Sequence, residues 1–442
     1  MVKKNVIIMG AAGRDFHNFL VYFKDNPYYR VICFTAEQIP GISNRKFPAK
    51  LAGKYYKQGI PIYKESTLFS LIKKHKVKNV YLSYSDLSHT DVMHKASIVM
   101  ANGANFYLLG PDETQIKSKK PLISVTAVRT GAGKSQTSRK VAEILRNQGH
   151  KVVAIRHPMP YGDLVKQEVQ RFSSYEDVIK HKCTIEEREE YDPWVQLGIP
   201  IYAGVDYKKI LKEAEKEADV IIWDGGNNDM SFYKADLDIV VVDPHRAGQE
   251  LTYHPGEVNF RLADVIVINK VDSARKDQVD KIKEDIKKYN PKAKVIIAAS
   301  DLIISSEKPL KGKKVLVVGD GPTLTHGGMS FGAGTIAAKR YGAIIIDPKP
   351  FLVGTLKEVY EKYPHLKKGK ELPAMGYSEK QNKDLQKTIN KSKADIIIDG
   401  TPVNLKKQIT LKKDFVEVDY VLREIGRPNL KDVLKSVKIK ER

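Results

Sequence analysis

Short runs made almost wholly of apolar residues punctuate this chain, and between them apolar residues return every three or four positions. Asn5–Met9, Tyr29–Phe34 and Val80–Ser83 fall early; Val152–Arg156, Val220–Trp223, Ile239–Val242 and Val265–Ile268 fall in the middle; Val315–Val318, Ala343–Ile346 and Ile396–Ile398 fall late. Runs of this length without polar alternation predict strands buried on both faces, as in parallel sheets. The segments between them predict crossover helices: in Ser135–Leu145, Val141, Ile144 and Leu145 share one face and Gly149 follows as a stop. Strand and helix in alternation specify an α/β, multidomain chain with doubly wound, mostly parallel sheets. The basic stretch before Pro121, and Pro309, suggest three parts: an N-terminal Rossmann-like domain (1–120), a central domain (121–300) and a C-terminal α/β extension (301–442).

The central domain opens with the strongest chemical signal. Ile123–Ala127 stops at a glycine turn that ends in Gly133-Lys134-Ser135 and becomes helical. This is the order of a phosphate-binding P-loop, so 121–300 reads as a P-loop NTPase core. Thr130, Gly131, Ala132, Gly133, Lys134, Ser135 and Gln136 are its nucleotide-binding candidates. Small residues let backbone amides point at the β-phosphate, the helix adds its positive end, Lys134 neutralises the β/γ-phosphates and Ser135 is placed for Mg²⁺. The consensus asks for glycine where this chain has Val128. Arg129, within the loop, reads either as a finger acting across a dimer interface or as a contact to substrate or solvent.

Other candidates follow strand ends. Asp224, after Val220–Trp223, sits where an NTPase places the carboxylate that orients Mg²⁺; the alternative is a turn cap. Asp243, His245 and Arg246 follow Ile239–Val242, at the edge where open α/β sheets bind ligands. Asn269-Lys270-Val271-Asp272 matches the N-K-x-D base-recognition motif, with Asn269 holding the loop, Lys270 over the base and Asp272 on a guanine edge or, otherwise, capping a helix. Arg156 and His157 are candidates for an anionic acceptor, with packing as the second reading of His157. Gly319–Gly334 is the most glycine-dense region; its amides, with Gly321, Thr323, Thr325, His326 and Ser330, read as a cradle for a second phosphate or as a lid. In the N-terminal domain Gly10–Gly13 lacks the three-glycine fingerprint, and Asp86 and His89 either face a crevice or cap a helix.

Composition narrows the class. With 75 Lys+Arg against 53 Asp+Glu, the net charge of +22 attracts polyanions, among them phosphorylated small molecules. A nucleic-acid partner is not expected, since no aromatic or basic groove is evident. The two cysteines, Cys33 and Cys183, lack partners for a zinc or disulfide framework, and no apolar stretch approaches membrane-spanning length, so a cytoplasmic protein with no membrane partner is expected.

With these residues in view, the chain resembles the cyclic 2,3-diphosphoglycerate synthetase family of archaea, whose members are also catalogued as GTPases. The likeness runs through GAAGRDFHNF, VRTGAGKS, RHPMPYGDL, WDGGNND, VVDPHRAG, NKVD, GDGPTLTHGGMSFGAG and DGTPVNL. The resemblance implies an ATP-dependent closure of 2,3-diphosphoglycerate into a cyclic diphosphate, releasing ADP and phosphate, with Mg²⁺ and a monovalent cation such as K⁺. Lys134, Arg129 and Asp224 would then be catalytic, Ser135 and Asp224 would hold the metal, and Arg156, His157, Asp243, His245, Arg246 and the glycine-rich loop would hold substrate. The N-K-x-D segment keeps GTP open as the nucleotide, and a GTPase acting as a nucleotide-gated module is the alternative. A homodimer is expected if Arg129 acts across an interface.

Overall fold

A computed structural model describes residues 3–11, 13–37, 42, 44–157, 159, 162–226, 229–305, 309–325, 328–375, 379–401, 405 and 409–439. Residues 4–108 carry a six-stranded sheet in the order Lys46–Phe47, Ile60–Lys64, Tyr29–Ala36, Lys4–Met9, Asn79–Leu82, Asn105–Leu108. All its pairs are parallel except that of the edge strand Lys46–Phe47. Its central strands are the apolar runs of the sequence, and Val6, Ile7, Ile8, Phe34 and Val80 are wholly buried.

The rest of the chain builds one 13-stranded sheet. Leu122–Ala127 lies between Val220–Asp224 and Leu237–Val242, parallel to both, and Val265–Ile268 extends that parallel set. The division expected at 300/301 falls inside a single strand, Lys294–Ile304. Its first residues pair in parallel with Val265–Ile268, whereas Ile297–Ile304 pair antiparallel with Val418–Ile425. The beginning of that partner strand pairs with Ile396–Asp399, which in turn pairs with Lys314–Gly319. The offset matters: the C-terminal strands run opposite to the P-loop strands and are displaced beyond their carboxyl ends. Two carboxyl edges, where open α/β sheets bind ligands, are therefore turned toward one another. The last helix, Leu430–Leu434, returns to bury Leu430, Val433 and Leu434 in the core of the P-loop half.

The N-terminal sheet is tied to this body by two short pairings, Leu87–Ser88 with Tyr253–His254 and Ile116–Lys117 with Tyr233–Lys234. No helix of the described residues is long and apolar enough to cross a membrane.

Candidate active site

The phosphate loop is set by what surrounds it. Val128, the departure from consensus, donates its amide to Val241 O at 3.1 Å and packs with Val240, Val242 and Phe260. Gly256 lies so close that a Cβ there would come within 2.3 Å of Val128 O. Apolar packing thus fixes the loop's entrance, a task the consensus assigns to glycine. Gly131 and Gly133 adopt φ of +82° and +104°, and the helix Lys134–Asn147 begins at once. Its first turn places Lys134 at the end where a helix carries its positive dipole. A side chain at Gly133 would meet Asn269 Nδ2 at 2.0 Å and Gln136 Nε2 at 2.6 Å. Gly133→Ala combines this clash with an unfavourable φ and is expected to cost about 2 kcal/mol or more and to abolish nucleotide binding, checked by denaturant unfolding and calorimetric titration with ATP.

The N-K-x-D segment braces this loop from behind. Asn269 Nδ2 donates to Ala132 O at 3.0 Å, and Lys270, at φ +58°, donates to Gly131 O at 2.6 Å and Asp243 Oδ2 at 2.9 Å. Asp272, exposed, accepts from Ser300 N at 3.2 Å.

Asp224 is the electrostatic hub. Lys134 Nζ lies 2.5 Å from its Oδ1, Ser138 Oγ donates to the same oxygen at 2.8 Å, and Trp194 Nε1 donates to Oδ2 at 3.2 Å. Arg156 adds a contact at 3.1 Å and also pairs with Glu190 at 2.5 Å. Burial would raise the Asp224 pKa, but Lys134 and Arg156 outweigh it and hold the carboxyl at about 2. The Lys134 ammonium is shifted down, by burial first and then by Arg156. Four donors thus converge on Asp224, and Ser135 borders the same cavity. Among the described residues no group of three or more His, Cys, Asp or Glu could hold a metal ion.

Beyond the loop opens a cavity of about 300 Å³ bounded on the far side by the glycine-rich segment. Arg129, Thr130, Gly131, Gly133, Lys134, Ser135, Gln136, Arg156, Asp224, His245, Lys270, Asp272 and Thr323 all border it. Ala132, Asn269, His157, Asp243, Arg246, Gly321 and Thr325 do not; His326 lies outside the described residues. His157 points instead at the N-terminal domain, with Nδ1 3.2 Å from Asp229 Oδ2, and Arg14 closes on the same carboxylate. Burial lowers the His157 pKa, which keeps the imidazole neutral at physiological pH. Asp243 is held by Lys270 and Arg246. Arg129 is engaged within the chain, with Nε 2.7 Å from Asp86 Oδ1 and its guanidinium 3.6 Å over the Tyr253 ring.

Three acidic residues absent from the expectations also border the cavity: Glu189, Glu190 and Asp320. The first two come from the helix Ile185–Gln196, anchored by a Thr184/Glu187 capping box, and Asp320 begins the glycine-rich segment and accepts from Thr323 N at 3.3 Å. Glu189 reaches the Asp320 carboxyl, which burial pushes up to about 6. The site therefore sets cations and phosphate-binding amides against carboxylates across one space.

Residues 200–299 match the family model described as "Cyclic 2,3-diphosphoglycerate synthetase, P-loop domain". A relative named arginine synthetase ArcE, from Thermococcus kodakarensis, is 60% identical over 435 residues, 98% of this chain and 97% of that protein. A cyclic 2,3-diphosphoglycerate synthetase from Thermococcus sibiricus is 34% identical over 115 residues, 26% of each. Among solved structures, LpxK from Aquifex aeolicus in complex with ATP aligns with 84% of this chain and 100% of its own at 14% identity and a TM-score of 0.45. The P-loop domain and the synthetase relatives mark a nucleotide-dependent ligase. On the nearly full-length relative and the domain match together, this chain belongs to the cyclic 2,3-diphosphoglycerate synthetase family.

Proposed function

We propose that the protein is an ATP-dependent ligase that builds the guanidino group of arginine. The observation that carries this reading is the mixed lining of the cavity: Glu189 and Asp320 border it together with Lys134 and Arg156, and Glu190 is paired with Arg156. A zwitterionic amino acid is complementary to both walls. A substrate of two phosphates and a carboxylate would meet Glu189 and Asp320 as like charges. The name of the 60% identical relative supports the same substrate class.

A ligase that makes a guanidino group must turn a carbon's oxygen into a leaving group. The acceptor is then a ureido amino acid such as citrulline, and the nitrogen comes from ammonia. The ureido oxygen attacks the γ-phosphorus of ATP; an O–P bond forms, the bond to the β–γ bridging oxygen breaks, and ADP leaves. Ammonia then attacks the activated carbon, the C–O bond breaks, phosphate departs and a proton is released to water. Lys134 and the helix amides hold the phosphates, Arg156 balances the charge that spreads over the transferred group, and the carboxylates take the substrate's ammonium. Mg²⁺ bound with the nucleotide would be held by Ser135 and would neutralise phosphate charge.

Incubation with ATP, Mg²⁺, citrulline and ammonium should yield arginine and ADP in equal amounts. The second reading, closure of 2,3-diphosphoglycerate, has the family description in its favour. It predicts a cyclic diphosphate phosphorus resonance from a parallel incubation with that substrate. Cyclic product without arginine would overturn the proposal, and GTP in place of ATP in the same assay decides the base.

The carboxylates also set a pH dependence. Asp320 is protonated below about 6, so its hold on an ammonium weakens as pH falls through that value. The KM for the amino-acid substrate is expected to rise up to tenfold per pH unit below about 6, and in Asp320→Asn it should be high and flat over that range.

A further inference from the structure

The N-terminal domain reaches the phosphate loop through the Asp86 side chain, and both of its oxygens are used. Asp86 lies just beyond Asn79–Leu82, at the carboxyl edge of the N-terminal sheet, and holds a left-handed backbone at φ +60°. Asp and Asn adopt this region more readily than most residues, and here it turns the carboxylate toward the other domain. Its Oδ1 accepts from Arg129 Nε at 2.7 Å and its Oδ2 from Thr130 Oγ1 at 2.9 Å. These two residues immediately precede Gly131. The contact is rigid on both sides: Leu87–Ser88, next in the chain, pairs antiparallel with Tyr253–His254, and Arg129 stacks over Tyr253. Both Arg129 and Asp86 are only 8% exposed at the side chain, so solvent screens the pair little.

We infer that Asp86 is a positioning residue for the nucleotide: from the N-terminal domain it fixes Arg129 and Thr130, and through them the entrance of the phosphate loop. A P-loop with glycine at the consensus position keeps its own turn. This one has Val128, anchored in the core, and is then gripped by Asp86 before the chain reaches Gly131. Freed of Asp86, Arg129 and Thr130 would have to be ordered when nucleotide binds, which weakens binding. The N-terminal domain is in this way a working part of the nucleotide site. The inference rests on the proposed reading of Gly131–Ser135 as that site.

The test is calorimetric titration of the full-length protein with Mg²⁺–ATP, together with steady-state kinetics. Asp86→Asn should weaken ATP binding and raise its KM about 5- to 20-fold, while the KM for the amino-acid substrate stays unchanged. Asp86→Glu should recover part of the loss, and Thr130→Val, nearly the same shape, should weaken ATP binding about threefold. In an Arg129→Ala background, Asp86→Asn should add no more than the roughly threefold loss carried through Thr130, because the arginine is gone. Unchanged ATP affinity in both Asp86→Asn and Thr130→Val, with only a lower melting temperature, would overturn the inference and leave the nucleotide site standing. Wild-type protein that binds neither ATP nor GTP would overturn both.

Discussion

Lys134→Ala is expected to reduce turnover about 10²- to 10³-fold while leaving the protein folded. The lysine is the first residue of the loop's helix, beside free amides and only 2.5 Å from Asp224. In the proposed function its charge moves from Asp224 onto the phosphates when nucleotide arrives. Its loss leaves Asp224 with Arg156, Ser138 and Trp194, so no buried carboxylate is stranded. Lys134→Arg should not restore activity, since a planar guanidinium does not replace a compact ammonium in a tight loop. ADP release and a circular-dichroism melt separate the two effects. Turnover within threefold of wild type would place the chemistry elsewhere.

Asp224→Ala is expected to act on stability as well as activity. It removes the carboxylate that Lys134 contacts in a buried site and leaves Arg156 with Glu190 alone, a change that typically costs about 3–5 kcal/mol. The pH dependence provides a second check. Asp224 has a folded pKa of about 2 against an ordinary 3.8, so its contribution is fully present above about 4 and is lost as pH falls through 3.8 toward 2. Wild-type protein should lose stability over that window more steeply than Asp224→Ala in parallel guanidinium titrations. Equal slopes would mean that the carboxylate is not held by the two cations.

What was legible in the sequence was local. The strand, glycine turn and helix around Lys134, and the strand ending in Asp224, are specified by residues adjacent in the chain, and the structure builds them there. Arg156 and His157 show where local reading stops. They are consecutive at a strand end, where side chains turn to opposite faces, so only Arg156 reaches the cavity. Glu189 and Glu190 were hidden because a run of acids interrupted by arginine reads as a solvated helix face. Glu189 is buried and reaches Asp320, far along the chain and in the other half of the sheet, while the half-buried Glu190 pairs with Arg156. The division expected at 300/301, suggested by Pro309, falls inside a strand that continues because its second half pairs with a strand near the C-terminus.

In the proposed reaction the phosphate loop passes the γ-phosphoryl group of ATP to an oxygen of the amino-acid substrate, which then leaves as phosphate. Citrulline labelled with ¹⁸O in the ureido group, turned over with ATP and ammonium, tests this directly through the isotope shift of the released phosphate in phosphorus NMR. One ¹⁸O per phosphate is the expected result; arginine accompanied by unlabelled phosphate would contradict it.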